Sequence, residues 1–330
     1  MLRLSPASLW FLANAISLKL CWPYVAGAVA LILGVIGFRK EFTSASGVDR
    51  ITRLAPLFVA VPMAIFGADH FVFSDFVARI VPSWLPWHLF WALFVGACLI
   101  AGGLSIAVRR YEILAVALFG TMMLLFVLLM HIPAIVQVPR ERLAWMIFFR
   151  DLTFGTGALC FAAAHAPARW TRPAKIFLTL APIEIGIAAI FFAVEHFLHP
   201  TFMPGIPMEN ITPQWVPFRV PVAYLTAIVL LITGVAMLRK KWAEAASTGL
   251  GLMLLLLTIV LYVPLTVVEP IETGLNYFGD TLMFSGIVLC LAGSYRGTQP
   301  HSPLAEERVS RDGLRELEGE VQDHASLNGR

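Results

Sequence analysis

The chain has 330 residues, of which 58% are hydrophobic and only 14% charged, and its formal net charge is +3. An ordinary soluble domain has about one quarter charged residues, so this composition excludes that class. The basic residues are spread over short loops and form no single patch, which argues against nucleic-acid binding.

Nine apolar segments follow one another along the chain. Each is about twenty residues long, the length that a helix needs to cross the hydrocarbon core of a membrane. Each is also apolar on all sides, unlike the striped surface helix of a soluble protein. They predict an all-α, polytopic transmembrane protein with about nine spanning helices, at residues 21–38, 54–73, 86–107, 111–132, 144–165, 176–197, 217–238, 243–265 and 274–295.

The two ends of the chain differ from these segments. The stretch from Leu4 to Leu20 is moderately apolar but contains Lys19, and it lacks the basic start and cleavage site of a signal peptide. We interpret residues 1–50 as a membrane-associated lead-in followed by an extra transmembrane helix. Residues 296–330 are polar and mixed in charge, a composition that predicts a disordered tail or a weakly formed surface helix.

The loops between the segments alternate in charge. One set holds twelve Lys and Arg residues, at 39–53, 108–110, 166–175 and 239–241. The alternate set holds only three, at 74–85, 133–143, 198–216 and 266–273. Because basic loops remain in the cytoplasm, the first set and the C-terminal tail are predicted to be cytoplasmic. Nine spans then place the N-terminus outside, unless the lead-in re-enters or spans the membrane.

Five sequence echoes, at offsets of 126 to 131 residues, indicate an internal duplication. Each copy holds four helices in the same orientation, so we expect two tandem four-helix bundles, at residues 51–168 and 169–295. The echoes pair Asp69-His70 with Glu195-His196, Trp84 with Trp215, Arg109-Arg110 with Lys240-Lys241, His131-Ile132-Pro133 with Tyr262-Val263-Pro264, and Arg150-Asp151 with Gly279-Asp280.

Polar side chains inside the spans are costly, so each needs a partner or a watery cavity. The predicted topology brings the candidates to the outer side of the bilayer, where they either lock the helices together or line a pocket that holds a polar head or relays protons. A metal or haem between His70 and His131 is a third interpretation, although Tyr262 at the second copy's place argues against a matched pair of haems. The candidates are Asp69, His70, His88, His131, Arg150, Asp151, Glu195, His196 and Asp280.

Two further observations concern the chemistry. Glu184 lies deep in the first helix of copy two, opposite Phe58 of copy one, and is interpreted either as a protonated helix contact or as part of a proton relay. The four cysteines form no CxxC pair, which argues against a thiol–disulfide exchanger and a structural zinc site. We therefore predict no metal site.

The repeated unit resembles the DoxX/DoxD-like membrane family. The resemblance covers residues 54–165 and 176–295 and rests on four features of each unit. These are a polar residue near the end of the first helix, a P-x-W-x-P entry to a glycine-containing second helix, paired basic residues after it, and an aspartate before a glycine-containing fourth helix. That family includes a subunit of a thiosulfate:quinone oxidoreductase. The resemblance implies a bacterial cytoplasmic-membrane protein and quinone-linked electron transfer.

Three functions follow as hypotheses. The first is a quinone-linked or redox-partner subunit with an outward-facing polar pocket, which makes quinone the expected cofactor. The second is a carrier of small solutes or lipids, for which Glu184 is the indication. The third is a structural or assembly membrane protein. Whether the chain is an enzyme stays open among these hypotheses.

Overall fold

The computed structural model describes residues 18–166 and 171–297. Within these ranges, nine helices are long and apolar enough to cross a membrane, which confirms the prediction of an all-α, polytopic membrane protein. The described residues up to Ser294 belong to one compact unit. The predictions for residues before 18 and for the tail after 297 lie outside the described residues.

The helices agree with the predicted segments, and five short helices of six or seven residues lie between these segments or at their ends. In chain order the described helices are α1 (Trp22–Gly37), α2 (Arg39–Ser44), α3 (Gly47–Arg53), α4 (Ala55–Val72), α5 (Ser74–Ile80), α6 (His88–Ala107), α7 (Glu112–Phe126), the π-helical turn π1 (Val127–His131), α8 (Ile132–Gln137), α9 (Arg142–Ala164), α10 (Thr171–Leu198), α11 (Arg219–Met237), α12 (Ala243–Leu257), the turn π2 (Thr258–Tyr262), α13 (Val263–Val268) and α14 (Ile271–Gly297).

Local backbone features recur 131 residues apart. Trp87 and Phe218, which precede α6 and α11, both adopt left-handed backbone angles with φ of 59° and 53°, uncommon for bulky residues. The turns π1 and π2 also start 131 residues apart, and each is followed by a short helix with proline in its first turn. Each span runs on through its π-helical turn, and the proline lacks the N–H that a regular helix would use at that position.

Small residues let the first two helices of each half approach closely. A Cβ added to Gly103 of α6 would lie 2.7 Å from the Ala60 carbonyl oxygen of α4. A Cβ added to Gly234 of α11 would lie 2.7 Å from the Gly186 carbonyl oxygen of α10. Such contacts are how membrane helices associate, since lipid provides no hydrophobic force between them.

The fourth helix of each half lies against the first helix of the other. Helix α9 packs against α10 as well as against its own neighbour α7. Helix α14 meets α4 at two glycines, Gly279 against the ring of Phe66 and Gly286 against the backbone of Phe58. The two fourth helices meet where Gly157 of α9 contacts Ile287 of α14. The halves are therefore interlocked at the centre of the molecule.

The antiparallel spans define two ends of the helical unit. The basic end carries the connections at 38–46, 108–111 and 238–242 and the described residues 165 and 166 after α9, and the loop-rich end carries the connections at 73–87, 138–141, 199–218 and 269–270. The longest of these, 199–218, folds into the protein: Met203, Ile206 and Thr212 are buried, and Phe202 forms an isolated β-bridge with Ile211. All the candidate site residues lie towards the loop-rich end.

Candidate functional site

Arg150 joins the two halves through a buried ion-pair network. Its Nε donates to Oδ1 of Asp151 at 2.8 Å, and its Nη1 donates to Oδ2 of Asp280 at 3.0 Å. On the far side of the network, Nε2 of His131 lies 2.8 Å from Oδ2 of Asp151. Four of the predicted site residues therefore form one connected group, which we call the Arg150 network.

The charges in the Arg150 network do not balance without a proton. Two carboxylates and one guanidinium sum to a single negative charge, and Asp151 and Asp280 are both buried, at 6% and 8% exposure. An uncompensated charge is expensive inside a protein, and more so inside a membrane. One proton, held by His131 or by one of the carboxyl groups, makes the network neutral.

His131 is the member of the network nearest to the loop-rich end. It is the last residue of π1, and six residues of α8 follow it. Its side chain is 14% exposed, against 8% for that of Asp151. Single π-helical turns occur frequently at functional sites, because the wider turn presents a side chain that a regular helix would not. Arg150, by contrast, lies eight residues inside α9, about 12 Å along its axis.

The second half closes its own polar end with the 199–218 loop. His196 accepts a hydrogen bond at Nε2 from the Gly205 backbone N–H at 3.0 Å, while its Nδ1 lies 2.7 Å from the Phe192 carbonyl oxygen. The Tyr262 hydroxyl, in turn, donates to the Pro204 carbonyl. Both nitrogens of this imidazole are occupied, so His196 holds the loop and has no free ring position for a ligand.

Glu195 is paired with a residue that sequence reasoning placed only among the loop charges. Arg142, the first residue of α9, donates to Oε2 of Glu195 at 3.2 Å and to the Pro207 carbonyl at 2.6 Å. It also donates to the carbonyl of Met208. The predicted boundary of the fifth segment, at 144, left Arg142 outside the helix. The 129-residue offset aligns Arg142 with Ile271, an apolar residue next to the ninth segment. This alignment is the signal that could have assigned Arg142 to the helix and not to the loop.

The corresponding positions of the first half are not satisfied in this way. Both carboxylate oxygens of Asp69 are buried and accept no hydrogen bond from the described residues. Nε2 of His88 and Nε1 of Trp91 are likewise buried without a hydrogen-bond partner in the described structure. His70 has its Nδ1 2.7 Å from the Phe66 carbonyl oxygen, as His196 has with Phe192.

The predicted cluster is thus several separate groups. His131, Arg150, Asp151 and Asp280 form the Arg150 network, and Glu195 and His196 hold the 199–218 loop. Within the described residues, no three His, Cys, Asp or Glu side chains are arranged to hold a metal ion.

Glu184 is engaged between helices α9 and α10. Its Oε1 and Oε2 accept hydrogen bonds from the hydroxyls of Thr153 at 3.1 Å and Thr156 at 2.6 Å. The 129-residue offset aligns these threonines with Leu282 and Ser285 of α14, and the 126-residue offset aligns Glu184 with Phe58. In the first half Phe58 lies instead against Gly286 of α14. The hydrogen bonds of Glu184 to α9 favour a helix-joining role for this residue.

Comparison with known proteins finds no family model, no curated protein and no solved structure that matches this chain. Its function is therefore argued from the geometry of these groups.

Proposed function

We propose that this chain is a DoxX-like, quinone-linked membrane subunit that binds the polar ring of a quinone beside His131. The observation that carries the proposal is the pairing of His131 with Asp151 at the end of a π-helical turn, 2.8 Å apart and continuous with Arg150. A membrane protein can join its helices by packing small residues without desolvating charge. Four ionisable groups in contact inside the membrane therefore favour a functional role.

The chemistry of the Arg150 network suits such a ligand. An imidazole that holds a proton can donate it to a quinone carbonyl, while Asp151 orients the ring and stabilises the charged form. A quinone becomes a quinol by taking up two electrons and two protons. In this proposal the two electrons come from a redox partner protein. The Arg150 network supplies the two protons one after the other, and it takes up each of them from the loop-rich end.

The proposal also assigns an orientation and a membrane. The loop-rich end faces the outside of a bacterial cytoplasmic membrane, and the basic end and the C-terminus face the cytoplasm. Support comes from the twelve-to-three excess of basic residues in the loops of the basic end. Protons for the Arg150 network then come from the outer aqueous phase.

A tandem duplication is part of the same proposal. It is supported by the two π-helical turns, by the left-handed residues Trp87 and Phe218, and by the matched glycines Gly103 and Gly234, all 131 residues apart. The two halves have diverged at their polar ends, since the second is closed by its own loop. The ligand is therefore assigned to the first half.

A structural or assembly role is the second candidate. The closed end of the second half, with Glu195 paired to Arg142 and His196 bonded to Gly205, favours it because those polar groups hold the fold together. For the carrier hypothesis, the engagement of Glu184 with Thr153 and Thr156 removes the indication of a polar path.

The test replaces His131 by leucine and measures bound quinone by mass spectrometry of protein extracted from native membranes. We expect His131→Leu to lose quinone and to remain monodisperse and helical in detergent. His165→Leu is the matched control, because His165 follows the last residue of α9 at the basic end, away from the Arg150 network, with its Nδ1 2.9 Å from the Phe161 carbonyl oxygen. If His131→Leu retains its quinone, or if wild-type protein carries none, the Arg150 network is structural.

A further inference from the structure

We propose that Asp69 is a binding site for an organic cation, an ammonium or guanidinium group carried by a ligand. The site is separate from the Arg150 network and does not depend on quinone binding. It rests on a comparison of two carboxylates at corresponding places in the two halves, Asp69 and Glu195.

The correspondence can be traced through helix starts and contacts. Helices α9 and α14 begin at Arg142 and Ile271, 129 residues apart, and the paired aspartates of the Arg150 network are separated by the same 129 residues. Helix α9 lies against α10, the helix of Glu195, as α14 lies against α4, the helix of Asp69. Ile271 therefore occupies in the first half the place that Arg142 occupies in the second.

This replacement explains why Asp69 has no partner. In the second half, Arg142 brings a guanidinium within 3.2 Å of Glu195. In the first half the isoleucine brings none, and neither oxygen of Asp69 accepts a hydrogen bond from the described residues. Glu41 also has one unpartnered buried oxygen, but its other oxygen pairs with Arg109 at 3.1 Å. Asp69 is thus the described carboxylate with both buried oxygens unsatisfied.

The cation of the second half is held by a carboxylate and by an aromatic ring. The guanidinium carbon of Arg142 lies 4.7 Å from the centre of the Phe202 ring, a favourable arrangement for a cation. A buried carboxylate attracts an ammonium or guanidinium group because a hydrogen-bonded ion pair compensates its desolvated charge. The second half supplies such a group from its own chain, and the first half is left to take one from a ligand.

The test uses n-hexylguanidinium and n-hexylammonium as probes, with the neutral n-hexylurea for comparison. Binding to the purified full-length protein is measured by saturation-transfer NMR and by the concentration-dependent rise of the unfolding temperature. We expect both cations to bind saturably and the urea not to bind. Asp69→Asn, which keeps the shape of the side chain, should weaken cation binding by roughly tenfold or more, since a charge-assisted hydrogen bond is lost.

Two variants complete the design. Ile271→Arg installs the missing guanidinium and should abolish binding of the added cations, because the protein then pairs Asp69 internally. Asp75→Asn removes an exposed carboxylate at the same end of the molecule and should leave binding unchanged. Equal binding in Asp69→Asn and wild type would overturn the proposal, as would equal binding of n-hexylurea. A wild-type protein that binds neither cation would show that Asp69 is neutralised by a proton alone, and the proposal would fail.

Discussion

Asp151 and Asp280, which lie 129 residues apart in the chain, accept hydrogen bonds from the same guanidinium, that of Arg150. The two aspartates occupy corresponding places in α9 and α14, but position 279, which corresponds to Arg150, is a glycine. One arginine therefore serves two carboxylates, and it lies where the two fourth helices meet. Removing it affects both halves at once.

Replacing Arg150 by leucine should destabilise the protein by about 3–5 kcal/mol, because it leaves two buried carboxyl groups without their cation. The measurement is the free energy of unfolding in mixed micelles with increasing denaturing detergent. Arg53→Leu is the matched control, since Arg53 forms an ion pair with Asp49 at the surface and such pairs contribute at most about 1 kcal/mol. The triple variant with Asp151→Asn and Asp280→Asn should recover part of the loss; no recovery would mean that Arg150 acts by packing and not by charge.

Gly96→Ala should destabilise the contact between α4 and α6 by about 1–3 kcal/mol, since overpacked sites force backbone shifts. A Cβ at Gly96 would lie 2.7 Å from Cβ of His70 and 2.9 Å from the carbonyl oxygen of Gly67. Gly249→Ala is the control, because a Cβ there meets nothing within 4 Å, and the better helix propensity of alanine should leave stability equal or higher by up to about 1 kcal/mol. Equal effects at the two glycines would contradict the close approach of α4 and α6.

Glu184→Gln should change stability little, because an amide oxygen can accept from Thr153 and its NH₂ group can donate to Thr156. Glu184→Leu removes both hydrogen bonds and should cost about 1–2 kcal/mol, the range of hydrogen bonds between membrane helices. Unfolding of both variants in micelles measures these effects, and the quinone content of Glu184→Gln is measured in parallel. A large loss of quinone in Glu184→Gln, with its stability unchanged, would favour the proton-relay role of Glu184 over the helix-joining role.

The orientation can be tested with single cysteines in a variant that lacks Cys21, Cys98, Cys160 and Cys290. Lys240→Cys, at the basic end, should react with a membrane-impermeant maleimide only when the cytoplasmic face is accessible. Arg109→Cys is the less suitable reporter, because Arg109 is partly buried in ion pairs with Glu41 and Glu112. Arg140→Cys, at the loop-rich end, should react in intact cells. Labelling of residue 240 from outside would reverse the proposed topology and the side on which the Arg150 network lies.

The nine spans were predictable because long apolar runs separated by short loops allow few other folds in a membrane. The polar ends were less predictable. The loop charges and the succession of antiparallel spans indicated that His131 and Asp151 would lie at the same end of the molecule. They did not indicate that Arg150 would reach Asp280 of the other half. Arg142 was missed because a residue at a helix boundary is read as a loop charge. The burial of Met203 and Ile206 had no sequence signal, since a loop packs inward only after its anchor residues have been placed by the fold.

The packing of each fourth helix against the first helix of the other half has a consequence for the proposed duplication. A protein made of only one four-helix unit would leave uncovered the face of its fourth helix that here lies against the other unit, as Gly279 lies against Phe66. A second copy of the same chain could cover that face reciprocally, and its own fourth helix would be covered in return. Under the proposed duplication, the present chain is the covalently linked form of such a homodimer. Two identical subunits must carry the same residues, whereas two linked units can differ. Linkage would therefore allow Arg150, the buried 199–218 loop and the unpaired Asp69 each to arise in one unit only.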